Sequence, residues 1–364
     1  MSMFRRRLLI ANALKKSSGI NYPGLIAAWS AKGKTNEDED KATLKDLTGN
    51  GHDITLNGFA FSEMSGYGGF LFKWNHPSPS FNNSIGPSSI YRATGVVKSS
   101  KVHITAINNL ATFIENAGKV WGVGDTIPEY KVKISGLDTL TKDGNYLYYK
   151  KSDDTKIIFE NDGIYTIKDL PITKLWFNSW GCYKLTNSCD FTIELLPEYP
   201  DALVFDGVDD FGINEDMPIL TDYTIIAKRK DFNKKWATFI SKSILGTSNW
   251  IDGAFVFERR IEIDENLGDK NNIISFGGYN NLSNIYSGLI SYQTKNNYNN
   301  QNIKIGSKKD GTLLSIGCTS LKQEFWKGAF CSACLFDRSL DEQEIKEFIR
   351  KYIDKDYLLP NEQP

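Results

Sequence analysis

Short apolar runs broken by turn residues dominate this chain, and apolar positions at helical spacing are scarce. Successive side chains on a strand point to opposite faces. Tyr130-Lys131-Val132-Lys133-Ile134 therefore reads as a half-buried strand. The same pattern predicts strands at 25–30, 146–149, 156–159, 165–167 and 189–196, with Ile54, Leu56 and Phe59 returning to apolar character. It continues at 202–205, 223–228, 237–240, 254–258, 273–276, 289–293, 301–305, 313–318 and 328–336. Many short strands at fairly even spacing imply a sandwich. Asp143-Gly144-Asn145 and Asn161-Asp162-Gly163 read as hairpin-type turns, residues 73–87 as a Pro/Ser/Asn-rich loop, and Gly66 to Gly69 as a flexible hinge.

Helical periodicity occurs only at the two ends. Phe4, Leu8 and Ala11 fall at helical spacing beside Arg5, Arg6 and Arg7, and Ser17-Ser18-Gly19 ends that pattern. Residues 1–20 read either as a frayed tail or as a basic, apolar docking arm, with Phe4, Arg5, Arg6, Arg7 and Leu8 as its contact residues. Near the other end, Ser339-Leu340-Asp341-Glu342 reads as a capping box. Leu340, Ile345, Phe348, Ile349, Tyr352 and Ile353 then make one apolar stripe suited to packing on a sandwich.

The length of 364 residues suits two domains, or one large sandwich carrying an insertion. At 40% apolar, the chain can build cores. A net charge of -1 provides no global basic field for nucleic acid. No run is long and apolar enough to span a membrane. Met3 to Leu14 has the basic start of a signal peptide, but its apolar part is short, interrupted by Asn12 and followed by Lys15 and Lys16. Five cysteines leave at least one thiol free or paired between chains. Cys331 and Cys334 have the spacing of a metal half-site, but they lie in a strand-like run and read as structural thiols facing opposite sides.

Candidate chemistry is sparse. Asp206, Asp209 and Asp210 supply hard oxygens at turn spacing, either to ligate calcium or to cap amides; Asp46 and Asn50 are candidates to join them. Trp250, Asp252, Tyr279, Asn280 and Tyr298 place aromatic faces beside amides or an acid in loops, as glycan binding or a solvated turn requires. Glu262 and Asp264 share a strand face, as in a glucanase, but the third acid is absent: Asn266 and Leu267 stand where it belongs. There is no nucleophile elbow and no phosphate-binding loop. The reading is therefore of a chain that is not an enzyme and needs no cofactor, calcium apart.

Three stretches resemble a laminin-G-like domain of the concanavalin-A-like superfamily. The first is Gly24 to Ser30 with the aliphatic-Trp29 pattern, followed by the Asp46-Leu47-Thr48-Gly49-Asn50-Gly51 turn. The second is Ala202-Leu203-Val204-Phe205-Asp206-Gly207-Val208-Asp209-Asp210-Phe211. The third is Trp326-Lys327-Gly328 through Asp337-Arg338-Ser339-Leu340 with Glu344-Ile345. The resemblance implies a mostly β fold: an antiparallel jelly-roll β-sandwich with an inserted small β-domain, a short N-terminal arm and a C-terminal helix. Residues 1–20 would be the arm, 21–65 and 199–364 the two parts of the sandwich, and 66–198 the insertion. The style also resembles virion proteins of tailed phages infecting gut Bacteroidales, crAss-like phages included. That implies a homo-oligomeric head-fibre, decoration or tail-associated protein, docked through its arm to other virion proteins and able to touch host glycans. The alternative is a secreted or surface bacterial carbohydrate-binding protein.

Overall fold

The computed structural model describes residues 20–71, 80–82, 92–98, 100–108, 111–115, 129–141, 145–151, 153, 155–168, 179–183, 189–220, 223–232, 237–243, 253–259, 285–286, 290–294, 311–338 and 340–353. The strands, in chain order, begin with β1 (Leu25–Ser30), β2 (Thr43–Leu44), β3 (Ile54–Asn57) and β4 (Gly66–Tyr67). Next come β5 (Ser80–Asn82), β6 (Arg92–Lys98), β7 (Lys101–Asn108), β8 (Ala111–Glu115) and β9 (Tyr130–Ser135). A one-turn helix α1 (Asp138–Thr141) precedes β10 (Tyr146–Lys150), β11 (Lys156–Phe159), β12 (Gly163–Ile167), β13 (Ser179–Tyr183) and β14 (Phe191–Leu195). Then follow β15 (Leu203–Asp206), β16 (Phe211–Asn214), β17 (Thr224–Asp231), β18 (Ala237–Ser243) and β19 (Gly253–Arg259). The last strands are β20 (Ile285–Tyr286), β21 (Ile290–Thr294), β22 (Leu313–Ile316) and β23 (Lys327–Phe336), before helix α2 (Glu342–Phe348), which continues as a wider turn over Ile349–Ile353. The chain is mostly β and its strand pairs are antiparallel, as the alternation predicts.

Two compact units result. One comprises residues 1–61, 65–67 and 201–364; the other comprises 62–64 and 68–200. In the first unit two sheets enclose one core. One sheet runs β20-β21-β17-β23-β15-β4, with β1 also on β23; the other runs β19-β18-β22-β16-β3-β2. Trp29, Leu203, Phe205, Ile225, Phe330 and Leu335 of the first sheet bury against Leu44, Ile54, Phe239, Leu314 and Ile316 of the second. This is the sandwich arrangement expected of sheets that are each apolar on one face.

Strand β23 organises the first sheet. Its residues 332–336 pair with β1, residues 327–330 with β15, and its other edge with β17. At the junction, the β17 register shifts between Lys228 and Arg229, which leaves Cys331 as an extra residue. The bulge breaks the alternation expected for Cys331 and Cys334. Phe330, Ala333 and Leu335 face the sandwich core, whereas Cys334 and Phe336 face a separate cluster with Leu340, Ile345, Phe348 and Ile349. The C-terminal stripe thus covers the outer side of the first sheet, with Tyr22 edge-on to Phe336 and Phe348. The N-cap lies two residues later than expected. Asp341, not Ser339, is the N-cap: its side chain accepts from Glu344 N–H, and Glu344 returns the bond to Asp341 N–H. The capping-box spacing is met by Asp341 and Glu344.

The second unit encloses its own core between a sheet ordered β12-β9-β14-β7-β6-β5 and one ordered β11-β10-β13-β8. Val132, Ile134, Phe191 and Ile193 meet Leu147, Tyr149, Phe159 and Trp180 there. Several local expectations change. The segment 161–163 is not a hairpin, because β11 pairs with β10 while β12 pairs with β9, so it crosses between sheets. Asp162 fixes that crossing by accepting Gly136 and Leu137 N–H at 2.9 and 2.8 Å. Asp143 and Gly144 lie outside the described residues; the strands that flank them, β9 and β10, belong to different sheets. Strand β5 lies within the stretch read as loop. Gly66 and Tyr67 are strand rather than hinge: they pair with β15, and Asn36 reads Tyr67 like a neighbouring strand, through both its N–H and its carbonyl.

Among the described residues no helix is long and apolar enough to cross a membrane. Cys189, Cys318, Cys331 and Cys334 are free thiols. Burial pushes Cys318 and Cys334 up to about 12 and Cys189 to about 11, values that keep them as thiols and fit a packing role.

Candidate functional site

The acidic turn joins β15, in one sheet of the sandwich, to β16, in the other. Leu203 and Phe205 anchor its entry in the core. Asp206 then folds the chain back, its Oδ1 accepting Val208 N–H at 2.7 Å. Asp210 closes the turn: its Oδ2 accepts Asp206 N–H at 2.8 Å. Its Oδ1 accepts the Ser65 hydroxyl at 2.9 Å, and Ser65 Oγ accepts Ala60 N–H at 2.8 Å. Two glycines let the backbone approach this closely. A Cβ on Gly58 would stand 2.0 Å from the Asp209 carbonyl oxygen, and one on Gly317 would meet the Phe205 ring at 2.5 Å.

One oxygen from each of Asp206, Asp209 and Asp210 lies within 4.8 Å of the other two. The structure thus brings together the three acids that the sequence singles out. Their settings differ: Asp210 is fully buried, Asp206 half-buried and Asp209 exposed. Burial pushes Asp210 up to about 7, and the charges of Asp206 and Asp209 add to the rise, against the lowering effect of its bonds from Asp206 N–H and Ser65. The donor set fits a hard cation, being carboxylate oxygen throughout. Each Asp210 oxygen keeps a lone pair after accepting one hydrogen bond. Calcium takes six to eight oxygens, so backbone carbonyls or water would complete the shell.

Asp46 and Asn50 do not join this grouping. Asp46 accepts Ala28 N–H at 3.1 Å, Thr48 N–H at 3.0 Å, His52 N–H at 3.2 Å and the Thr48 hydroxyl at 2.8 Å. Asn50 donates to the Ile26 carbonyl at 2.9 Å. Trp29 Nε1 donates to the His52 carbonyl at 2.7 Å, tying the turn to the core tryptophan. This turn closes the free edge of β1, which explains its residues without a ligand.

Trp250, Asp252, Tyr279, Asn280 and Tyr298 lie outside the described residues, as do Glu262, Asp264 and the arm residues Phe4, Arg5, Arg6, Arg7 and Leu8. Ser65 is the site residue that sequence reasoning missed. It stands 145 positions from Asp210, and no local pattern marks it. Comparison of the chain with protein-family models, with curated proteins and with solved structures found no match.

Proposed function

We propose that the chain is a virion structural protein of a tailed phage, a head-fibre, decoration or tail-associated component. Its sandwich is laminin-G-like and projects from the particle, residues 1–20 dock it to capsid or tail proteins, and it works as a homo-oligomer by binding and assembly rather than by chemistry. One observation supports the sandwich part of this reading. The three stretches that resemble the laminin-G pattern are separated by up to three hundred positions, yet all meet on β23: Leu25–Ser30 on one half of its edge, Leu203–Asp206 on the other, and the C-terminal helix against its outer side. Contact with host glycans would fall to Trp250, Tyr279 and Tyr298.

Calcium at Asp206, Asp209 and Asp210 would act structurally in this reading. It would offset the repulsion among three converging carboxylates at the turn that links the two sheets. Asp210 has both oxygens engaged by the chain's own donors. That supports a tethering role over proton transfer.

The test is mass spectrometry of particles purified from a producing culture that carries either the full chain or one lacking residues 1–20. The proposal expects the full chain in particles and the truncated chain in the soluble fraction. Absence of both from particles overturns it and leaves glycan binding by the full chain as the reading to pursue.

A further inference from the structure

A sheet edge exposes unpaired backbone N–H and C=O groups, and proteins guard such edges with short strands, charges, bulges or a covering loop. Nearly every described edge here is guarded. β2, β4 and β20 are two residues long and β5 is three. β11 opens on the exposed Lys156. β8 and β19 carry register shifts and end in Glu115 and in Glu258-Arg259. The outer edge of β1 is taken by the Asp46 turn, through Leu47 N–H to Ala28 O at 2.7 Å and Asn50 to Ile26 O.

β12 is the exception. Gly163-Ile164-Tyr165-Thr166-Ile167 contains no charge and no proline. It pairs with β9 in unbroken register, and its other edge has no strand partner among the described residues. Ile167 and Tyr165 turn inward to the core, while Ile164 points out at 65% exposure. Exposed Asp162 and Lys168 flank the strand.

We infer that β12 is a homodimer edge, pairing antiparallel with β12 of a second copy about a two-fold axis at Tyr165. That register sets Ile164 opposite Thr166 and Gly163 opposite Ile167. It also brings Asp162 of each copy opposite Lys168 of the other, so the strand's own flanking charges select the antiparallel self-pair. Asp162 also accepts Gly136 and Leu137 N–H beside the end of β9, so its charge would act on Lys168 of the second copy through space rather than in a direct ion pair. Opposed side chains would lie about 4.5–5.5 Å apart. A closed two-fold pairing removes both edges at once. The inference deepens only the homo-oligomer part of the proposed function, and it is read in solution, where failure leaves particle incorporation untouched.

Sedimentation of the full chain tests it. The expected mass is twice that of the chain, falling to the single-chain value in Ile164→Lys, since an edge lysine blocks strand pairing. A second test does not depend on that variant. Mixed under oxidation, the single variants Ile164→Cys and Thr166→Cys should give a covalent heterodimer that neither gives alone, with the unsubstituted chain as blank. A monomeric full chain overturns the inference. So does a dimer that persists in Ile164→Lys, or the lack of a covalent product from the mixed variants.

Discussion

Two turns in the sandwich, each opening on an aspartate and containing glycine, end in opposite electrostatic states. At Asp46 one carboxylate meets four donors: three backbone N–H groups and a hydroxyl. At Asp206 to Asp210 three carboxylates converge within 4.8 Å, and the buried one is held up near 7. The first arrangement spends a charge on organising backbone and leaves nothing over. The second leaves negative charge that hydrogen bonds from Asp206 N–H and Ser65 do not neutralise. An Asp-Gly-rich turn therefore reveals its role only when its donors are counted.

Breaking the first turn should have the largest effect. Asp46→Ala strands the amides of Ala28, Thr48 and His52, and should lower stability by about 3 kcal/mol in denaturant unfolding. The second effect is the pH dependence that Asp210 imposes. Its folded value, about 7, lies above the unfolded carboxylate value of about 4. Between those values the native state binds more protons than the unfolded one, so stability is full below about 4 and falls as pH rises to about 7. Asp210→Asn should flatten that slope in thermal scans across this window, while Asp46→Ala should leave it in place. A smaller effect is expected from calcium. At ten times its Kd it should stabilise the chain by about 1.4 kcal/mol. Asp209→Asn, which removes one oxygen donor at an exposed position, should remove that gain. The smallest effect is expected at the rim of the first turn. Lys45 pairs with Asp53 at 2.6 Å in solvent, and Lys45→Ala should cost no more than about 0.5 kcal/mol in the same unfolding measurement.

What could be read from the sequence divides along the range of the interactions. Strands such as 156–159 and 328–336 were legible because alternation and turn residues are local signals. The convergence of Asp206, Asp209 and Asp210 was legible for the same reason, being fixed by one turn. Ser65 was not, because its bond to Asp210 depends on where a remote strand lies. The bulge at Cys331 was hidden too, since it arises where β23 pairs with three strands at once. The cap at Asp341 was misplaced by two residues because Ser339 and Asp341 are both good caps, and only the reach of Glu344 decides between them. The sheet crossing at 161–163 looked like a hairpin because an Asn-Asp-Gly turn carries no record of which strands it separates.

The most direct measurement is a carbon-13 NMR titration of the Asp210 carboxyl in the full chain, with calcium and with chelator. The account predicts a midpoint near 7 in chelator, moved to lower pH by calcium as the cation displaces the proton. A midpoint in the ordinary carboxylate range, unmoved by calcium, would contradict it and make the second turn as electrostatically closed as the first.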